Sequence, residues 1–185
     1  MKFRKTRSSR PWFRLTNPDN YSRIAQFYKC DELKEKIFTM KVEQALNSDI
    51  SAIQQLLSDC QLPYTDLTPA HLQHFLVVRA GNHLAGTVGL EAMGKFGLLR
   101  SLAVSESYRQ HGLGIQLTDQ IEANAVTLGV EMLYLLTTTA EGFFAKRDYQ
   151  LTERKAAPTV LQETNEFKSI CPSSAVCMVK HLCPK

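Results

Sequence analysis

The residues most able to do chemistry lie in one short stretch, Arg109-Gln110-His111-Gly112-Leu113-Gly114, between an apolar run and a helical pattern. Glycine admits positive φ and lets backbone approach a ligand with no Cβ in the way. A helix beginning at such a joint leaves its first N–H groups unpaired, with the positive end of its dipole behind them. Several amides aimed at one point form an anion site suited to phosphate, and Arg109 can add a fixed positive charge. Two common phosphate motifs are excluded. A P-loop requires Gly-Lys-Ser/Thr at the helix start, whereas Gly114 is followed by Ile115-Gln116. A dinucleotide fingerprint requires a third glycine where this chain has Leu117. A plain strand-to-helix turn would use the same glycines for geometry alone.

Arg100 shares a period-2 face with Leu102 and Val104. A guanidinium there can grip a carboxylate or another oxyanion, or can form a structural ion pair with Glu91 or a different acid. Glu91 is the best single carboxylate for a general base, because its strand should lie beside the one carrying residues 102–104. A water chain could do the same work. Metal chemistry is not expected. Cys177 and Cys183 would stand roughly 20 Å apart on a strand, too far to share one ion with Cys171. His71, His74, His83, His111 and His181 are scattered, and the first two decorate a helix end.

The elements around these residues are legible from Met40 onward. "KVEQAL" reads as a strand, followed by the capping cluster Asn47-Ser48-Asp49 and a helix with Ile50, Ile53, Leu56 and Leu57 on one face. Pro63 ends it, and Thr68-Pro69 opens a second short helix. "FLVVRA", the turn "GNH" and "LAGTVGLEAM" form a hairpin, and "LLRSLAV" adds a third strand. A helix carrying Leu113, Leu117, Ile121 and Leu128 then runs to Gly129. "VEMLYLLT" reads as a buried strand, "TAEGFFAKR" as a short helix and "YQLTERKA" as a strand. "PTVLQETNEFKSI" is short helix or loop, and "AVCMVKHL" is a terminal strand. The order predicts an α/β fold with a mixed, mostly antiparallel central sheet and flanking helices. The helix after the glycine loop joins two parallel neighbours.

With this framework "SLAVSESYRQHGLGIQL" resembles the acetyl-CoA motif of the GCN5-related N-acetyltransferases, the GNAT superfamily. "LYLLTTTAEGFFAKRDY" resembles the same family's next strand and helix. The resemblance implies an acetyl-CoA-dependent N-acetyltransferase, an acyltransferase with acetyl-CoA as co-substrate. By that resemblance the backbone of Leu102, Ala103 and Val104 pairs with the pantetheine, and the Val104 N–H polarises the thioester carbonyl. Arg109 and the amides of Gln110, His111, Gly112, Leu113, Gly114 and Ile115 hold the pyrophosphate. Thr137 stands where the family commonly has asparagine and belongs to the cofactor site. Phe143-Phe144 replaces a pair whose second member is often tyrosine, so Phe144 removes a conventional general acid. The C-terminal part resembles the arsenic-resistance N-acetyltransferase branch. That likeness implies a small amine acceptor, an amino-acid-like arsenical or phosphinate toxin whose oxyanion Arg100 would hold. The alternatives are a protein N-terminal or lysine acetyltransferase and a CoA-binding regulatory module without turnover. The resemblance is also compatible with a homodimer through terminal strands.

Composition agrees with a globular chain: of 185 residues, 44% are hydrophobic and 22% charged. The net charge of +4 is unevenly spread. Residues 1–39 hold ten Lys/Arg against four Asp/Glu, and residues 40–185 hold twelve against fourteen. A basic N-terminal extension (1–39), with a helix possible over Ile24–Ile37, is therefore expected ahead of an N-acetyltransferase domain (40–185). The domain has no basic footprint for nucleic acid. No apolar run approaches the roughly 18 residues needed to span a bilayer, so no membrane is expected. Five cysteines without framework spacing suit reduced thiols in a cytoplasmic protein.

Overall fold

The computed structural model of the protein describes residues 40–182. The expected basic extension 1–39, its helix over Ile24–Ile37 and Cys183 lie outside the described residues. Strand β1 (Val42–Gln44) leads through a 3₁₀ turn, Asn47–Asp49, into helix α1 (Ile50–Asp59). Asp49 makes that junction: its Oδ2 accepts the Leu46 N–H at 2.8 Å and the Arg79 Nη2 at 2.7 Å. Helix α1 buries Ile53, Leu56 and Leu57, the spacing of one helical face. The short helix expected after Pro63 is a 3₁₀ turn, Pro69–His74. There the Thr68 N–H donates to His71 Nδ1 at 3.1 Å.

Three antiparallel strands follow, β2 (Phe75–Ala80), β3 (His83–Met93) and β4 (Phe96–Val104). After a 3₁₀ turn at Glu106–Tyr108, α2 (Leu113–Thr127) crosses back to β5 (Met132–Thr137), which pairs parallel with β4. The chain ends through α3 (Glu141–Ala145), β6 (Gln150–Thr152), α4 (Thr159–Gln162), a single π turn at Glu166–Ile170 and β7 (Val176–His181). The sheet order is β1-β2-β3-β4-β5-β7-β6, and every pairing except β4–β5 is antiparallel. The mixed, mostly antiparallel α/β architecture is the one expected.

Helices on both faces explain why β2 reads as an unbroken apolar run. Leu76 and Val78 pack with Leu113, Leu117 and Ile121 of α2, whereas Phe75 and Val77 pack with Ile53 and Leu57 of α1. Two boundaries differ from the sequence expectation. The strand expected over "YQLTERKA" is confined to Gln150–Thr152, because Arg154 opens a 3₁₀ turn and turns its guanidinium onto another segment. The stretch left between helix and loop divides into one helical turn, α4, and the π turn. Among the described residues, no helix is long and apolar enough to cross a membrane.

Candidate active site

The site begins with a defect in β4. Register passes from Gly89↔Arg100 to Thr87↔Ala103, so Ser101 and Leu102 together face Val88 alone. Ser101 takes φ 55°, the left-handed region, at this bulge. Beyond it β4 separates from β5: the two pair only from Phe96 to Leu98, although β4 continues to Val104 and β5 to Thr137. The opened strands line a cavity of about 450 Å³. The segment just after α1 (Cys60 to Pro63), residues from Glu166 to Ala175, Arg109 and the turn from Thr138 into α3 supply further walls. Residues Leu102, Ala103 and Val104 all belong to this lining, as does Thr137.

The glycine loop follows directly. Gln110 (φ 66°) and Gly112 (φ 85°) are both left-handed, on either side of His111. Alternation of this kind turns successive amides toward a common concave side, the arrangement that binds anions. Gly112 is the residue before α2, and the Gln116 N–H closes the first turn onto its carbonyl at 3.0 Å. The amides of Leu113, Gly114 and Ile115 precede that closure and have no carbonyl within the helix to bond. His111 Nδ1 lies 2.5 Å from the Arg109 carbonyl oxygen, which can only accept. Arg109 reaches back along β4: its Nε donates to the Val104 carbonyl at 2.9 Å, and Nη2 lies 3.4 Å from Cys60 Sγ.

Arg100 is the charged centre of the cavity wall. Its guanidinium, 2% exposed, meets three carboxylates. Nη1 and Nη2 bond the two Asp66 oxygens at 2.7 and 2.8 Å, Nη1 meets Glu91 Oε1 at 2.5 Å, and Nη2 meets Glu166 Oε1 at 2.9 Å. Burial works to raise the Asp66 carboxyl, but its bonds to Arg100 outweigh that and hold it below the usual range. Burial also opposes the charge on Arg100, and the carboxylates outweigh it, keeping the group fully cationic. Of the two arrangements open for Arg100 in the sequence, the ion pair is the one present. Glu91 joins this cluster but is not part of the cavity lining. It faces Leu98 in register, six residues from Val104, or roughly 20 Å along an extended strand.

Sequence reasoning passed over Glu166. It is buried, it lines the cavity, and its Oε2 accepts a hydrogen bond from Cys171 Sγ at 2.9 Å. Burial, reinforced by this contact with a carboxylate, pushes the Cys171 thiol up to about 12, so the sulfur stays protonated. Arg154 fixes the whole segment. Its Nη2 donates to the carbonyls of Glu166 (3.1 Å), Phe167 (2.6 Å) and Cys171 (3.2 Å), and Nη1 to Pro172 (3.1 Å). Glu166 stands in the sequence between two other charged residues, Glu163 and Lys168, and no local pattern marks it as the buried one.

Phe144 is 4% exposed, packs edge-on against Phe143 (5.1 Å) and Tyr149 (5.3 Å), and lines the cavity. Thr137 Oγ1 accepts the Ala140 N–H at 3.0 Å and so shapes the turn into α3. Asp66, His71 and Glu91 bring three potential metal-ligand atoms within 4.8 Å of one another. Arg100 already holds both Asp66 oxygens and one of Glu91, which places a guanidinium against the same donors.

A fold with a split β4/β5 pair and a left-handed glycine loop at the crossover helix defines a class, and comparison with known proteins agrees. Residues 23–151 match the Acetyltransferase (GNAT) family. The chain belongs to that family. A 54-residue stretch is 43% identical to an amino-acid acetyltransferase of Azotobacter vinelandii, covering 29% of this chain and 12% of that protein. A 72-residue stretch is 33% identical to an amino-acid acetyltransferase of Pseudomonas aeruginosa, covering 39% of this chain and 17% of that protein. The matched stretches are thus a small part of those curated relatives. N-acetylglutamate synthase from Neisseria gonorrhoeae, solved with coenzyme A and N-acetyl-glutamate, superposes with TM-score 0.68 at 22% identity, over 78% of this chain and 35% of that one. A Mycobacterium tuberculosis protein solved with CoA superposes with TM-score 0.62 at 21% identity, over 77% and 99%. At these identities the structural likeness establishes the shared fold.

Proposed function

We propose that the protein transfers an acetyl group from acetyl-CoA to the amino group of a small molecule. The observation that carries this reading is the meeting of two features: a β4 edge released from β5 by the Ser101 bulge, and a loop left-handed at Gln110 and Gly112 where α2 begins. The first offers backbone groups to an extended chain such as pantetheine. The second offers amides to a diphosphate. The residues suit the group: Gly112 is left-handed where α2 begins, and a Cβ built there would meet nothing within 4 Å, so no protein atom crowds the loop at that point. In this reading residues 102–104 pair with the pantetheine, Arg109 and residues 110–115 receive the pyrophosphate, and Thr137 borders the same channel.

The reaction needs a neutral amine, a polarised thioester and an outlet for the thiolate. The amine nitrogen attacks the carbonyl carbon, the C–S bond breaks with its electron pair on sulfur, and one proton is released overall. The Val104 N–H is the assigned carbonyl donor, a contribution typically worth about 3–4 kcal/mol. Phe144 offers no proton to sulfur, so water, or the hydroxyls of residues 137–139, meets that need. The same residue supports the second reading, a CoA-binding module without turnover. The names of the relatives make amino acids the first acceptors to test, and the C-terminal resemblance adds arsinate- or phosphinate-tailed amino acids.

Calorimetry with CoA, followed by thiol release from acetyl-CoA over a panel of amino acids, simple amines and a basic peptide, tests the proposal. Uptake of CoA and acceptor-dependent release are expected. Failure to bind CoA would falsify the transferase reading, and binding without release for any acceptor would leave the module.

A further inference from the structure

We infer that Glu166 receives the ammonium group of the acceptor, and that the site is built for primary amines lacking a neighbouring anionic group. The inference rests on the transferase reading. Among the described residues, Glu166 is the one carboxylate in the cavity lining, and its side chain is 8% exposed. It is held from two sides, by Arg100 Nη2 on Oε1 and by the Cys171 S–H on Oε2, while Arg154 gathers four carbonyls of the same segment behind it. A carboxylate held on both oxygens in this way is fixed in place, which suits it to binding and orienting a cation.

The charges around it leave a cation wanting. Arg100 meets Asp66, Glu91 and Glu166, one guanidinium against three carboxylates, while the Arg154 guanidinium is bonded to backbone carbonyls. His71 lies beside Asp66 and Glu91, with its Nδ1 accepting the Thr68 N–H at 3.1 Å. A buried cluster with surplus negative charge attracts an ammonium ion and opposes a further anion. An acceptor's own carboxylate, arsinate or phosphinate would look for a forked guanidinium. Both lining guanidinia are engaged, Arg100 with three carboxylates and Arg109 with the Val104 carbonyl and Cys60 Sγ.

The cavity does keep unmet polar positions. Arg100 Nε and Ser101 Oγ are both buried without a hydrogen-bond partner among the described residues, and both residues line the cavity. They offer one N–H and one hydroxyl, a pattern for a neutral polar substituent and not for a bidentate anion. In the reaction, Glu166 would bind and orient the ammonium. The ammonium loses one proton to water, the nitrogen lone pair attacks the carbonyl carbon, and the C–S bond breaks with its electron pair on sulfur. The second proton lost from nitrogen reaches that sulfur through water, so one proton is released overall.

The test compares phenethylamine, putrescine, glutamate and a phosphinate-tailed amino acid as acceptors, with wild type, Glu166→Gln and Glu166→Asp. In wild type, kcat/KM for the two plain amines should exceed that for the two anionic acceptors by about tenfold or more, the worth of one charged hydrogen bond. Glu166→Gln should raise KM for the amines by a similar factor while CoA affinity, read by calorimetry, stays unchanged, and Glu166→Asp should recover part of the loss. A wild-type preference for glutamate or the phosphinate overturns the inference and leaves the transferase reading intact. So does an unchanged amine KM in Glu166→Gln. CoA binding with no acceptor acetylated overturns the transferase reading itself. If Glu166→Gln fails to fold, the wild-type ranking of acceptors decides alone.

Discussion

Phe144 and Glu91 show how single residues constrain the chemistry. The Phe144 ring is in the cavity wall but has no hydroxyl, so Phe144→Tyr should place a phenol there and raise kcat by about tenfold or more, since general acids typically contribute 10²–10⁴. An unchanged kcat would mean that the thiolate leaves without help from α3. Glu91 lies in the Arg100 cluster, outside the cavity lining, and Glu91→Gln should therefore lower kcat by less than about tenfold. A loss of a hundredfold would restore it as the base. At this scale the sequence was partly legible. The Arg100–Glu91 pair could be foreseen because both lie on neighbouring strands. Asp66 and Glu166 could not, because they come from elements 34 and 66 positions away that no local pattern connects to Arg100.

The strand–loop–helix unit from β4 to α2 was legible almost entirely, because its signals are local: two glycines, an arginine and a change of hydrophobic period. Its glycines have separable duties. At Gly112 the left-handed backbone itself requires glycine. At Gly114 a Cβ would meet Phe143 and Val104 at 3.7 to 3.8 Å, ordinary contact, so the fold does not need glycine there. On the proposed reading, in which the diphosphate sits against the first amides of α2, Gly114→Ala should keep its melting temperature within a few degrees yet bind CoA about tenfold or more weakly. Unaltered CoA affinity would place the diphosphate elsewhere. The stretch after β6 was far less legible. Arg154 reads as one more charged residue on a strand, and its role as a clamp on four carbonyls depends on a segment folded back from residues 166–172.

For the molecule as a whole, buried ionisable groups set the pH range of stability. Asp49 is held below the usual carboxylate range chiefly by its hydrogen bonds to Arg79, and Asp66 by Arg100 against the effect of burial. Depressed folded values contribute stability above the unfolded value of 3.8 that is lost as pH falls further. Burial pushes the thiols of Cys171 and Cys177 up to about 12 and about 11 from 9.0. Raised folded values contribute stability below pH 9.0 that disappears as pH climbs toward them. Thermal melts should show a plateau falling at both ends, with Cys171→Ser flattening the alkaline limb and Asp66→Asn the acid limb. Identical limbs in the variants would assign the pH dependence to other groups. The strands and helices of this architecture could be read from the chain; the placing of β7 between β5 and β6 could not, because strand order is a matter of distant partners. That placing has a consequence for biogenesis. A nascent chain emerging from the ribosome completes β5 well before β7 exists, and β5 must wait about 40 residues with one flank bare. Until the final strand slots in, β6 has no neighbour at all, so a chaperone that shields naked strand flanks would find its best grip on this protein during that interval.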